Sequence, residues 1–155
     1  MRRLDAIDRK ILQILQADGR VTNQALCRRV NLSPRACLER VRRLEREGSI
    51  AGYRAVIGRV ADGPAFVVHT EVTLVDQRQA TLQQFEQRAL KCPEVIACHL
   101  VSGSYDYLVR FACRDLDDYQ RISDAWINDL AMGVARIVSL TELKTVKEFS
   151  GYPIA

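Results

Sequence analysis

The sequence predicts an α+β protein in two parts: an N-terminal helix-turn-helix unit of winged-helix-like type, joined to a C-terminal ferredoxin-like unit of order βαββαβ. Three observations carry this. Apolar residues recur at helical spacing up to about residue 50 and at spacing two from Ala65 onward. Gly52, Gly58, Gly63 and Pro64 punctuate the stretch between, where a short strand over Tyr53–Ile57 is the only regular element expected. Charge changes sign across the same stretch: residues 1–60 hold 14 Lys and Arg against 6 Asp and Glu, a net +8, while residues 61–155 hold 9 against 13, a net −4. The expected division is therefore residues 1–50, a linker at 51–64, and 65–155, with the basic part placed to meet a polyanion.

In the first part, Leu4, Ile7, Ile11, Leu12 and Leu15 share one face of a helix over Leu4–Ala17, which Asp18-Gly19 closes with a glycine suited to a left-handed position. Thr22 is a suitable N-cap for a short second helix through Ala25, Leu26 and Val30. Ser33-Pro34 reads as N-cap and first-turn proline of a third helix that runs to about Glu47 and stops at Gly48. In the second part, Phe66, Val68, Thr70, Val72 and Leu74 alternate with polar residues as a half-covered strand does. A helix over Gln77–Lys91 follows, then two strands, Val95–Ser102 and Tyr105–Ala112, around a tight hairpin at Gly103-Ser104. Asp115–Leu130 is a second helix with Leu116, Tyr119, Ile122, Trp126 and Leu130 inward, and Ala135–Lys147 is the last strand. This is the split-βαβ order. Apolar residues on both sides of Ala65–Thr73 and Val95–Val101 suggest that the sheet face away from the helices is covered by a second copy.

A total of 155 residues, 48% hydrophobic and 27% charged, suits one or two small soluble domains. With no run of 18 apolar residues and no secretory leader, the expected setting is the cytoplasm, away from membranes. The five cysteines (Cys27, Cys37, Cys92, Cys98, Cys113) form no CxxC pair, so they read as reduced, buried thiols. His69 and His99 read as sheet-face residues, and no metal site is expected.

On a helical wheel the third helix gathers Cys37, Val41 and Leu44 on one side and Arg35, Glu39, Arg42 and Arg46 on the other, with Arg40 and Arg43 flanking. Guanidinium forks match guanine edges and phosphates, and a helix fits the major groove of double-stranded DNA, so Ser33, Arg35, Glu39, Arg40, Arg42, Arg43 and Arg46 are the candidate contacts. A solvated face laced by pairs such as Glu39 with Arg43 is the alternative. The loop Ser102-Gly103-Ser104-Tyr105-Asp106-Tyr107 offers backbone N–H groups for a carboxylate, an acid for an ammonium and an aromatic wall; turn geometry alone would also select Gly and Asp.

The run Asn31-Leu-Ser-Pro-Arg-Ala-Cys-Leu-Glu-Arg-Val-Arg-Arg-Leu-Glu-Arg-Glu-Gly-Ser-Ile-Ala-Gly-Tyr53, the opening Leu4-Asp5-x-x-Asp8-x-x-Ile11-Leu12 and the block Cys98-His-Leu-Val-Ser-Gly-Ser-Tyr-Asp-Tyr-Leu108, with its Gly-x-x-Asp-Tyr turn, together resemble the Lrp/AsnC ("feast/famine") regulators. Asn31 stands where that family usually has glycine, and asparagine is the next residue to tolerate a positive φ. The resemblance implies a bacterial or archaeal transcriptional regulator without cofactor or enzymatic activity. It further implies a self-associating ligand domain, a dimer stacked into a tetramer of dimers, and an amino-acid effector held near Gly103, Ser104, Tyr105 and Asp106 with Ser139 and Thr141 of the last strand. Two other readings stay open: an effector-independent architectural DNA-binding protein, and an amino-acid-metabolising enzyme, for which no nucleophile, base and orienter form a set.

Overall fold

The computed structural model describes residues 3–55, 57 and 66–154. Its packing divides the chain into two units, Met1–Gly58 with Lys147–Ala155, and Arg59–Val146. The segment from Lys147 thus clusters with the helices.

Unit one contains α1 (Ala6–Ala17), α2 (Asn23–Val30) and α3 (Pro34–Arg46). Each begins on a side-chain cap that satisfies an otherwise orphaned N–H: Asp5 accepts from Asp8, Thr22 from Ala25 and Ser33 from Ala36. Asn31, at φ 55°, makes the left-handed turn between α2 and α3. Gly19 does not play that part for α1, which ends instead on Asp18 in extended conformation. Ile11, Leu26, Cys27, Val30, Cys37 and Leu44 form the buried core, with Val41 half-buried beside it. Tyr53–Ala55 and Ile57 form no strand, and Val56 and residues 58–65 lie outside the described residues, as does Ala65 at the expected start of the first strand.

Unit two contains β1 (Phe66–Leu74), α4 (Gln79–Lys91), β2 (Val95–Leu100), β3 (Tyr107–Cys113), α5 (Leu116–Asn128), a 3-10 turn (Leu130–Met132) and β4 (Val134–Thr141). The strands form one antiparallel sheet in the order β2-β3-β1-β4. Val68, Val72 and Leu74 of β1 and Tyr107, Val109 and Phe111 of β3 pack with Phe85, Tyr119, Ile122 and Trp126. Trp126 meets Phe85 and Phe111 edge-on at centroid distances of 5.5 and 5.0 Å. Leu116 and Leu130 are 49% and 93% exposed, so these two expected core positions face outward: Leu116 is the first residue of α5, and Leu130 lies beyond its end. The end of β2, the start of β3 and the end of β4 differ most from expectation. The link from β2 to β3 spans Val101–Asp106, closed by Val101 N–H donating to Asp106 O, in place of a two-residue hairpin. β4 stops at Thr141, six residues short of the expected end.

On the sheet face turned away from the helices, His69 Nε2 and Arg110 Nη2 lie 2.8 and 3.0 Å from the same Glu142 oxygen. Thr145 donates to the other Glu142 oxygen, and these partners hold the carboxyl at about 2, below the usual range.

Candidate nucleic-acid interface and ligand loop

Local chemistry sets the approach to α3. Leu32 N–H returns to Cys27 O after the left-handed Asn31, Asn23 Nδ2 donates to Pro34 O at 3.0 Å, and Pro34 occupies the first turn, where its missing N–H leaves nothing unpaired. Asn23 as a brace between α2 and α3 was not legible in the sequence.

The seven residues expected at the interface do not behave alike. Arg35, Glu39, Arg42 and Arg46 are exposed. Arg35 pairs with Glu39 at 3.3 Å, not Glu39 with Arg43, and both side chains are so open to water that the pair contributes little. Ser33 accepts the Ala36 N–H at 3.3 Å and keeps its own O–H as a donor. Arg40 and Arg43, expected on the flanks, are 28% and 23% exposed, and both turn onto the carboxylate of buried Asp8. The outward basic face of α3 is therefore Arg35, Arg42 and Arg46.

In unit two, the loop Ser102–Asp106 stands at the end of the sheet. Gly103 has φ +143°, a conformation that suits glycine, and Ser102, Gly103 and Ser104 are exposed while Tyr105 is half-buried. Asp106 turns inward. Its Oδ2 accepts the buried Leu74 N–H at 2.7 Å, its Oδ1 accepts Gln77 Nε2 at 2.8 Å, and its own N–H donates to Val72 O at 2.9 Å. Tyr107 donates its hydroxyl to Glu86 at 2.8 Å, and burial raises its pKa above the ordinary phenol value. Ser139 and Thr141 do not join the loop within one chain. Register places them opposite Thr70 and Val68, the latter roughly 13 Å along β1 from Val72 at about 3.3 Å per residue. The Ser139 hydroxyl is bonded to Tyr119, whose hydroxyl also meets Thr70 Oγ1 at 3.0 Å.

All five cysteines are free thiols. Burial pushes Cys92, Cys98 and Cys113 up to about 11, the reverse of what a reactive thiol needs. Among the described residues no three His, Cys, Asp or Glu side chains are grouped to hold a metal ion, and no helix is long and apolar enough to cross a membrane.

A capped helix-turn-helix with a guanidinium face, followed by a split-βαβ sheet unit that ends in a polar loop, defines a class: transcriptional regulators with a DNA-binding domain and a ligand-binding domain. Residues 4–50 match the winged helix-turn-helix DNA-binding model, and residues 67–152 match the Lrp/AsnC ligand binding domain. The chain belongs to the Lrp/AsnC family of DNA-binding transcriptional regulators. It is 44% identical over 119 residues to the leucine-responsive regulatory protein of Escherichia coli K12, covering 77% of this chain and 73% of that one. Its fold matches a transcriptional regulator from Neisseria meningitidis solved with L-methionine (TM-score 0.87, 31% identity, 97% of both chains). It also matches a feast or famine regulatory protein from M. tuberculosis solved with L-methionine (TM-score 0.84, 29% identity, 99% of this chain and 100% of that one).

Proposed function

We propose that this protein is a cytoplasmic, amino-acid-responsive regulator that acts by binding, without turnover. Two copies of α3 enter successive major grooves of double-stranded DNA, with Arg35, Arg42 and Arg46 against bases and phosphates and Ser33 at the helix start. The observation that carries this is the exposed guanidinium face of a helix whose entry is fixed by Asn31, Ser33 and Pro34. A free amino acid binds at the exposed backbone and hydroxyls of Gly103, Ser104 and Tyr105. L-methionine in the two structural neighbours supports that ligand class. The sheet face that bears His69, Arg110 and Glu142 is buried against a second copy, and dimers stack into a tetramer of dimers. Ser139 and Thr141 reach the ligand from a neighbouring copy. Effector and DNA are then linked by a coupling of about 1 to 3 kcal/mol through differential contacts in two arrangements of the assembly.

Asp106 favours a second reading, architectural binding without effector, because both its carboxylate oxygens already have partners inside the fold. A thermal-shift series over the twenty amino acids, read beside DNA affinity, separates the two. A specific ligand raises the melting temperature by mass action, and a flat series leaves the architectural reading.

A further inference from the structure

Five arginines lie on α3, yet two of them are held by α1. Asp5 is the N-cap of α1 and Asp8 its third residue, and they cap each other: Asp8 N–H donates to Asp5 Oδ1 at 2.7 Å and Asp5 N–H to Asp8 Oδ2 at 3.2 Å. The remaining oxygens reach across to α3. Arg40 Nη1 lies 2.6 Å from Asp5 Oδ2 and 2.8 Å from Asp8 Oδ1, and Arg43 Nη2 lies 2.6 Å from Asp8 Oδ1. One pair of carboxylates thus starts the first helix and grips the third.

Burial makes this grip different from an ordinary surface pair. The Asp8 side chain is 3% exposed, so its charge is tolerated only while a cation compensates it, and two guanidiniums do so. The Arg43 Nε is also buried and finds no acceptor among the described residues, which leaves the Asp8 contact as the compensation the geometry supplies. An arginine that swung out to a DNA phosphate would strip Asp8 of its partner. Arg40 and Arg43 sit on the flanks of α3, between its apolar side and the face of Arg35, Arg42 and Arg46, so their long stems would otherwise border the groove that α3 enters.

We propose that Asp5 and Asp8 are positioning residues that set DNA selectivity: they fix the pose of α3 through Arg40 and Arg43 and withhold those two guanidiniums from the phosphate backbone. Phosphate contacts add affinity for any sequence, whereas base contacts discriminate. A helix with all five arginines free would gain more on arbitrary DNA than on its target. The proposal rests on the reading that α3 is the DNA-contacting helix.

The test uses the full chain, Asp5→Asn/Asp8→Asn, and a duplex of random sequence titrated between 50 and 200 mM salt. Asparagine keeps the N-cap acceptor, so α1 still starts correctly. Each released guanidinium that finds a phosphate steepens the slope of log K against log salt by about 0.9. With both released per α3, affinity for random duplex rises at 50 mM salt, and across the range the variant loses about twelve-fold more affinity than the parent for each α3 engaged, or roughly 150-fold more when two copies bind together. A role confined to stability lowers the melting temperature and leaves the slope unchanged; that result in folded protein overturns the proposal. Asp5→Asn alone is the fallback if the double variant does not fold, since the half-exposed Asp5 shares Arg40 with Asp8, and an unchanged slope there overturns the proposal equally. Arg35→Ala/Arg42→Ala, measured in parallel, isolates the underlying reading. If that pair also leaves binding unchanged, α3 is not the DNA helix. If it weakens binding while the aspartate variants keep the parent slope, only the selectivity role fails.

Discussion

The carboxylate of Asp106 receives the buried backbone N–H of Leu74 at 2.7 Å, so the loop between β2 and β3 is stapled to the last residue of β1. Asp106→Ala leaves that N–H without an acceptor and costs about 1 to 3 kcal/mol of stability, read as a lower urea midpoint. Asp106→Asn keeps one acceptor oxygen and costs less. If Asp106→Asn melts like the parent and loses amino-acid binding, the carboxylate serves the ligand and not the staple.

Arg35→Ala and Arg42→Ala each weaken binding to the cognate site by about 1 to 3 kcal/mol if the residue reads a base, without a change in melting temperature, because both side chains are exposed. Fluorescence anisotropy against cognate and scrambled duplexes measures the loss. A fall that is equal on both duplexes reassigns the residue from base to phosphate.

Glu142 links stability to acid. Its carboxyl is pulled from 4.5 to about 2 by Thr145, His69 and Arg110, so the folded state holds on to the ionised form. The stabilisation is fully present above the unfolded value and is lost as pH falls from about 4.5 toward 2. Glu142→Gln loses less stability over that window than the parent does, as measured by unfolding midpoints at pH 5 and pH 3; equal losses refute the assignment.

Thiol chemistry checks the burial of the cysteines. With Cys92, Cys98 and Cys113 held near 11, an aromatic disulfide reagent at pH 8 reacts with the native protein far more slowly than with the denatured chain. A fast native phase would place one of these thiols in an open, ionising environment.

Gly151 carries φ +116° beside Gln16, and Gln16 Nε2 donates to Ser150 O and Tyr152 O at 3.1 and 3.2 Å. Gly151→Ala drives a methyl into the Gln16 side chain and adds strain at a positive φ, so the segment from Lys147 detaches. Limited proteolysis then cuts faster within residues 147–154, where an unchanged rate would show that the segment is held by other contacts.

Much of this architecture was legible because it is written in local rules. Thr22, Ser33, Pro34 and Asn31 each act within a few residues, through caps and a left-handed turn, and the change of period from 3.6 to 2 announces the sheet. What escaped depends on residues far apart in the chain. Asp8 meets Arg40 and Arg43 across more than thirty positions, Asp106 meets Leu74 across 32, and nothing in the spacing of either partner announces the match. The wheel for α3 placed Arg40 and Arg43 on the flanks and could not show that a neighbouring helix would claim them. The loop after β2 ran longer than a tight hairpin because Asp106 is drawn to β1. β4 ends at Thr141, although Glu142 N–H still donates to Val67 O at 2.9 Å, and the residues from Lys147 join the other unit, where Gln13 and Gln16 of α1 hold them.

That return has a consequence for the order of synthesis. Unit one is assembled from two stretches of chain with the 88 residues Arg59–Val146 between them. At about 5 to 20 residues per second, translation of the intervening stretch takes roughly 4 to 18 s, during which α1 to α3 have been made and their last strand of contacts has not. A nascent chain therefore carries a helix-turn-helix that lacks its closing segment until the sheet unit has been translated. A message cut short anywhere in unit two yields a helix-turn-helix without that closure.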